Sequence, residues 1–134
     1  MIFVDTGAFF ASKVSNDINH SSALIIEGQI QEGSYGKMVT TNYILDELFT
    51  LLRGRVAHNE LIEIGESIIN SPNIRIIWIQ EALEEKGWEF FKLHQDKTFS
   101  FTDCMSFVVM QTLNINVAFT YDSHFEQAGF QIIS

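Results

Sequence analysis

The amino-acid sequence predicts an α/β fold in which helices cover both faces of a mainly parallel central sheet. Short runs of β-branched and aromatic residues alternate with helical stretches of ten or more residues, which is the pattern of βαβ units. The strand-like runs are apolar at consecutive positions, as expected for parallel strands that are buried on both faces. Two of these runs also end on an aspartate, so the sheet edge is expected to carry acidic groups.

The first predicted strand ends on an acid. Ile2, Phe3 and Val4 form a continuous apolar run that is followed at once by Asp5 and then by Gly7. An aspartate in this position has to be solvated at the sheet edge, bound to a ligand, or hydrogen-bonded in an Asx turn. Parallel α/β sheets place their functional groups at the carboxyl ends of the strands, where Asp5 is expected to lie.

The remaining elements follow from apolar spacing and from start and stop signals. Asn16 or Asp17 is a candidate cap for one helix, Gly33 marks its end, and Thr40 to Asn42 can cap the next. A turn at Asn70 to Asn73 separates a helix from a strong strand. The predicted helices are residues 8–13, 18–31, 40–52, 57–69 and 80–94 and one that opens at Ser100; the further strands are 38–39, 74–79, 116–121 and 129–133.

Length and composition predict a single domain over residues 1–134. A hydrophobic content of 46% is enough for a sizeable core, and no repeat or linker-like segment divides the chain. The one cysteine, Cys104, cannot form an internal disulfide, and the first residues enter a strand instead of forming a signal sequence. These features favour a cytoplasmic location. No apolar run approaches the roughly 18 residues of a membrane-spanning helix.

The net charge limits the kinds of partner. With 17 acidic and 8 basic residues, the net charge is −9, and the protein as a whole should repel a phosphate backbone. This balance argues against a broad basic binding face. Any attraction for nucleic acid has to be local, through a bound cation or a small cluster of lysines and arginines.

Three aspartates are candidates for a site at the sheet edge. Asp5 and Asp122 each follow a predicted strand, and parallel strands end at the same edge. Asp103 opens a helix in a Ser100-x-x-Asp103 sequence. Each also has a structural interpretation, because that sequence is a capping box and Asp122 can form a turn with Ser123.

Glu47 is the fourth acidic candidate. The apolar stripe of its predicted helix consists of Ile44, Leu48, Leu51 and Leu52. Glu47 lies three residues after Ile44 and four before Leu51. The spacing therefore predicts Glu47 on the buried stripe. A carboxylate there has to bind a metal or pair with an arginine, and the residues alone leave both open.

Four carboxylates that converge without a counter-ion repel one another, and some would have to stay protonated. One or two divalent cations remove this repulsion. Oxygen ligands favour Mg²⁺ or Mn²⁺ over zinc, and such a site activates water for an attack on phosphorus.

These residues resemble the PIN-domain nucleases, in particular the VapC-type toxins of toxin–antitoxin pairs. The motifs run along essentially the whole chain in the same order: Val4-Asp5-Thr6-Gly7-Ala8-Phe9, Asp17-x-x-His20-x-x-Ala23, Thr41-Asn42-Tyr43-Ile44-Leu45-Asp46-Glu47-Leu48, Ser100-Phe101-Thr102-Asp103, and Ala118-Phe119-Thr120-Tyr121-Asp122-x-x-Phe125.

The resemblance implies a PIN-like three-layer α/β/α sandwich and metal-dependent endoribonuclease activity. It implies that Asp5, Glu47, Asp103 and Asp122 are the catalytic and metal-binding quartet, with Mg²⁺ as cofactor and Mn²⁺ as a substitute. Thr6 and Thr120 match positions that support this quartet. The resemblance also implies an RNA substrate, a cognate antitoxin and a homodimer, and it leaves open which RNA is cut.

Lys13, Arg53 and Arg55 are the cations that we expect to contact RNA near the acidic site. The four histidines share no metal-ligand spacing and are interpreted as structural or surface residues. Cys104 is interpreted as a small helix residue and not as a nucleophile.

Two alternatives remain open from sequence. The first is an interaction module whose acidic pocket takes an arginine or lysine from a partner protein, which the net charge of −9 favours. The second is a PIN nuclease that processes RNA without an antitoxin.

Overall fold

A parallel sheet of five strands forms the centre of the computed structural model, which describes all 134 residues. The strands are β1 (Ile2–Val4), β2 (Met38–Thr41), β3 (Ile74–Ile77), β4 (Val117–Phe119) and β5 (Gln131–Ile133). The helices are α1 (Thr6–Lys13), α2 (His20–Gln31), α3 (Asn42–Arg53), α4 (His58–Ile69), α5 (Glu81–Leu93), α6 (Phe101–Thr112) and α7 (His124–Gln127). This architecture confirms the predicted α/β fold.

The strand order β3-β2-β1-β4-β5 places the first strand in the middle of the sheet. From β1 the chain moves outward through β2 to β3, then returns to β4 on the other side of β1 and continues to β5. Right-handed crossovers in opposite directions put α1 to α4 on one face and α5 to α7 on the other. The crevice at the carboxyl ends of β1 and β4 is the point where the strand order reverses, and ligands bind at such points in open α/β sheets.

Aromatic packing fixes α6 and α7 against the central strand. The Phe125 ring of α7 lies 6.0 Å from Phe3 of β1 and 5.0 Å from Phe107 of α6, and all three side chains are fully buried. Burial of rings of this size contributes strongly to the core. The starts of α6 and α7, which follow Ser100 and Ser123, are thereby held close to the end of β1.

The predicted elements are confirmed in existence and type, and the differences have local causes. The strand predicted to run to Ile79 ends at Ile77, because the Ile79 amide leaves the ladder and donates to Asn42 Oδ1 at 2.7 Å. The single-turn helix α7 was not predicted, since one turn is too short to show helical periodicity. None of the seven helices combines the length and the hydrophobicity that a bilayer crossing requires.

Close packing of α5 on α6 depends on Gly87. A Cβ at this position would overlap the Sδ atom of Met105, which is fully buried in α6. Gly28 in α2 is the opposite case, because a Cβ there would have no neighbour within 4 Å. The first glycine is therefore required by packing, and the second is not.

We expect Gly87→Val to lower the free energy of unfolding by about 1–3 kcal/mol through overpacking. Gly28→Ala should raise it by about 0.5–1 kcal/mol, because alanine is favoured over glycine in a helix interior. Urea denaturation of both variants and the parent measures the two effects. Equal stability of the two variants would contradict the role assigned to Gly87.

Candidate functional site

The pairing of β1 with β4 brings two strand ends together. Val4 pairs with Phe119, and the Asp5 amide donates to the Phe119 carbonyl at 3.1 Å. The next residue of β4, Thr120, donates its hydroxyl to Asp5 Oδ2 at 2.8 Å and accepts the Asp122 amide at 3.0 Å. Thr120 is fully buried and Asp5 nearly so. One hydroxyl thus joins the two strand-end acids that the sequence predicts at this edge.

Asp103 enters the same edge from the first turn of α6. The predicted capping box is present, since Ser100 Oγ accepts the Asp103 amide and Asp103 Oδ2 accepts the Ser100 amide, both at 3.0 Å. Asp103 Oδ2 also accepts from His124 Nδ1 at 2.8 Å. Both contacts use the same oxygen, which leaves Asp103 Oδ1 without a protein donor. The Asp103 side chain therefore both caps α6 and lies at the site.

His124 lies at the site, although the sequence analysis interpreted it as a structural or surface residue. Its amide donates to Asp122 Oδ1 at 2.9 Å in an Asx turn, and its Nδ1 lies 3.5 Å from the same oxygen. On the other side of the ring, Nε2 lies 3.1 Å from Thr98 Oγ1. The ring is therefore fixed between Asp103, Asp122 and Thr98. The available signal was its place two residues after a strand-end aspartate, where an Asx turn directs the chain back toward the sheet edge.

The position of Glu47 corrects the sequence prediction. The buried side of α3 consists of Ile44, Leu45, Leu48 and Leu52, whereas Leu51 is 39% exposed and Glu47 is exposed. The prediction was wrong because it included Leu51 in the apolar stripe and so rotated the stripe toward Glu47. Glu47 is nevertheless close enough to Asp5 for its charge to act on that carboxyl. It has no hydrogen bond or ion pair with another residue.

Burial and neighbouring charges make Asp5 difficult to ionise. Burial is the largest cause, and together with the charges of Asp103 and Glu47 it raises the pKa of Asp5 to about 7. Hydrogen bonds from the Thr120 side chain and the Thr6 backbone act in the opposite direction. No lysine or arginine forms an ion pair with any of the four acids. The acidic cluster of Asp5, Glu47, Asp103 and Asp122 therefore has no lysine or arginine as counter-ion.

The chemistry of this cluster fits a divalent cation. Ligand atoms of Asp103, Asp122 and His124 all lie within 4.8 Å of one another. Thr6 Oγ1, which follows Asp5 directly, is the only buried side-chain oxygen or nitrogen without a hydrogen-bond partner. A bound cation with its water would supply both the missing positive charge and a partner for this hydroxyl. His124 Nδ1 is already hydrogen-bonded to Asp103, so the free ligand atoms are oxygens, which favour Mg²⁺ or Mn²⁺.

The three basic residues predicted near the acids lie at, or just beyond, the C-terminal ends of α1 and α3. Lys13 ends α1 and pairs with Glu27 at 3.2 Å. Arg53 ends α3, about 16 Å along the helix axis from its start, and Arg55 follows it. The Arg55 guanidinium lies 5.7 Å from the centre of the Phe10 ring. The structure does not bring these cations to the acidic cluster, and RNA contact by them stays a prediction.

The remaining candidates have the structural roles that the sequence predicts. Burial and the charge of Asp103 raise the pKa of the Cys104 thiol to about 11, which keeps it protonated and a poor nucleophile. His20 and His94 each contact a backbone carbonyl through Nδ1 at 2.7 Å, those of Ala11 and Phe90 respectively.

Comparison with known proteins identifies the family. A PIN domain family model matches residues 2–131. The 23S rRNA-specific endonuclease VapC20 of Mycobacterium tuberculosis is 32% identical over 130 residues, which cover 97% of this chain and 95% of that protein. A VapC ribonuclease of Archaeoglobus fulgidus is 34% identical over 123 residues, which cover 91% of this chain and 77% of the relative.

Solved structures agree with this assignment. The crystal structure of Mycobacterium tuberculosis VapC20, described as a Sarcin-Ricin loop cleaving toxin, matches with a TM-score of 0.85 at 30% identity and covers 97% of this chain and 96% of that one. FitAcB from Neisseria gonorrhoeae matches with a TM-score of 0.69 at 17% identity over 100% and 97% of the two chains, a likeness that concerns the fold alone. The chain therefore belongs to the PIN-domain family, among the VapC ribonucleases.

Proposed function

We propose that this protein is a divalent-metal-dependent endoribonuclease, the toxin of a toxin–antitoxin pair, which hydrolyses RNA phosphodiester bonds. The observation that carries the proposal is a buried aspartate at the switch point of a parallel sheet, with three further acids near it and no lysine or arginine paired to any of the four. The local bonds of Asp103 and Asp122 do not require the four acids to lie together, and their mutual repulsion opposes it. A cluster of this kind is what a site for a cation and a phosphate requires.

In this proposal Asp5 and Asp103 are the principal ligands of Mg²⁺, with Mn²⁺ as a substitute. Asp122 completes the site directly or through water, and Glu47 holds a second ion or orients the attacking water. The bound cation would lower the pKa of a ligated water and stabilise the charge that develops on the phosphate. The 23S rRNA and its sarcin–ricin loop are candidate substrates, because they are named for the relatives.

The side chains around the acids have positioning roles. Thr120 contacts Asp5 Oδ2 and the Asp122 amide through one hydroxyl, which couples the Asp5 carboxylate to the backbone at Asp122. His124 contacts Asp103 from the other side. A preorganised set of ligands does not have to be ordered again for each substrate, which lowers the barrier of the reaction.

We also propose a cognate antitoxin and a homodimer as partners. The names of the relatives and the acidic cluster support the antitoxin, because an arginine or lysine of a partner can occupy a site that otherwise holds a cation. Sedimentation of the purified protein with and without its genomic neighbour tests both partners.

The first test of the site is Asp5→Asn. We expect this variant to lose at least about 100-fold in cleavage rate, because an amide is a weaker cation ligand and carries no charge. Cleavage of sarcin–ricin loop RNA and of transfer RNA is followed on gels with Mg²⁺, with EDTA, and after Mg²⁺ is restored. Full activity of pure Asp5→Asn, or of the parent protein in EDTA, would contradict the proposal.

Glu47 has a matched control in its neighbour. Glu47→Gln should lower the rate by about 10-fold or more, because the proposal assigns this carboxylate to a second ion or to the attacking water. Asp46→Asn removes the same charge from the next position of α3, where the residue is exposed and does not act on Asp5, and should leave the rate within about 2-fold. Equal losses in the two variants would show a general charge effect instead of a role for Glu47.

The raised pKa of Asp5 predicts an unusual pH dependence of stability. In metal-free protein the folded state keeps a proton that the unfolded chain releases near pH 4, so the free energy of unfolding falls from about pH 4 to about pH 7. Asp5→Asn lacks this effect and should exceed the parent by a few kcal/mol at pH 8, with a smaller difference at pH 4.5.

Urea denaturation in EDTA at both pH values measures this difference. Added Mg²⁺ should stabilise the parent at pH 8 and have little effect on Asp5→Asn. A difference between the two proteins that is the same at both pH values would rule out the ionisation of Asp5 as its cause.

A further inference from the structure

A cavity lies beside the acidic cluster, between the end of α5, the segment 94–99 and the start of α6. Its volume is about 350 Å³, at the lower end of the range of roughly 300–1,000 Å³ that is typical of small-ligand sites. Three aromatic residues and several nitrogen donors line it, among them Trp88, Phe91, Phe99, Lys92, Gln95 and Lys97. This size and composition suit one nucleotide.

The aromatic wall of this cavity is exposed and consists of stacked rings. Trp88 and Phe91 are 51% and 38% exposed, and their rings stack at 5.9 Å with an angle of 21° between the planes. The Phe101 ring contacts both edge-on, with its centre 6.3 Å from that of Trp88 and 5.9 Å from that of Phe91. A preformed aromatic surface of this kind is what unpaired nucleobases stack on in proteins that bind single-stranded RNA.

Charge distinguishes this cavity from a larger one on α5, which Trp88 also lines. Lys92 and Lys97 are two of only eight basic residues in a chain with net charge −9. The larger cavity, of about 900 Å³, is lined by Glu85 and Glu89 with a single Lys86, and acidic groups of this kind repel phosphate. The smaller cavity is therefore the one whose charge is complementary to RNA.

A phosphate can bind the two lysines with little loss of folding stability. Lys92 pairs with Glu89 at 2.8 Å and Lys97 with Asp96 at 3.9 Å; the lysine side chains are 49% and 38% exposed, and the two carboxylates more so. Exposed ion pairs contribute little to stability, so a phosphate can replace the carboxylate partner of either lysine.

The cavity and the acidic cluster share a wall. The Phe99 ring, which lines the cavity, lies 5.4 Å from the ring of His124, and His124 donates to Asp103. Cys104, which also lines the cavity, follows Asp103 in α6. An RNA strand whose scissile phosphate lies at the acids can therefore place a neighbouring nucleotide in the cavity.

On these grounds we propose that the cavity is a nucleotide subsite for single-stranded RNA, with a base on Trp88 and Phe91 and a phosphate on Lys92 and Lys97. The subsite rests on the proposed function, since it serves the same substrate. It also explains how a protein of net charge −9 holds RNA without a broad basic face, because two lysines and one stacked base act at a single point.

The direct test follows binding through Trp88 fluorescence. All proteins carry Asp5→Asn to stop cleavage and Trp78→Phe to leave Trp88 as the only tryptophan, and the probe is a seven-nucleotide single-stranded RNA in Mg²⁺. We expect saturable quenching by this RNA and weaker quenching by an oligonucleotide of the same length whose central sugars lack bases. Equal quenching by the two, or none by either, would overturn base stacking at Trp88.

The lysines are tested with a charge-matched pair of variants. Lys92→Gln with Lys97→Gln should weaken binding by about 10-fold, and the slope of log affinity against log salt should become shallower by about 0.7, since the two lysines neutralise one phosphate and each neutralised phosphate contributes about 0.7 for single strands. Lys37→Gln with Arg75→Gln removes the same charge from exposed positions outside the cavity and should change affinity by less than about 2-fold. Equal weakening in both pairs would contradict the subsite.

Cleavage by proteins that retain Asp5 separates this proposal from the proposed function. If they cut RNA and the two double variants bind RNA equally well, the subsite is wrong and the function stands. If they do not cut RNA and Trp88 is still quenched selectively by the base-containing oligonucleotide, the function is wrong and the subsite stands. Circular dichroism melting confirms that each variant is folded.

Discussion

The parallel pairing of β1 with β4 is the constraint on which the site depends. The register that pairs Val4 with Phe119 sets Asp5 beside Thr120, and the Thr120 hydroxyl then joins Asp5 to the Asp122 amide. A slip of one residue would turn Thr120 to the other face of the sheet and remove this bond. The buried contacts between Phe3, Phe125 and Phe107 oppose such a slip. Packing of the core therefore keeps Asp5 and Thr120 in register.

Burial of Asp5 lowers the stability of the fold, and hydrogen bonds from its neighbours offset part of this loss. Burial of Asp5 near two other carboxylates disfavours its ionised form, which is why its pKa rises to about 7. Hydrogen bonds from Thr120 and the Thr6 backbone offset part of this cost, and a cation would offset more. In the proposed function, the acids that weaken the metal-free fold are the ligands of the cation, so stability and activity would oppose each other here as they do at many active sites.

The acidic cluster also shows why a structural interpretation of a residue does not exclude a functional one. Asp103 forms the capping box that its sequence predicts, and Asp122 forms the Asx turn. Each of these local bonds uses one carboxylate oxygen and points the side chain toward the sheet edge. Local structure therefore orients the acids, and the sheet topology decides that they meet. His124 belongs to the same network because the Asx turn at Asp122 directs it toward Asp103.

The sequence by itself determined the α/β fold, the position of nearly every strand and helix, and three of the four acids at the sheet edge. These follow from apolar runs, caps and strand ends, which are local signals. Only the tertiary structure decided that β4 lies beside β1, that Glu47 is exposed, and that His124 bonds to Asp103. It also gathered Trp88, Phe91 and Lys97 around one cavity. The physical reason is that strand order, helix rotation and contacts between distant residues are set by packing of the whole core, which no local pattern encodes.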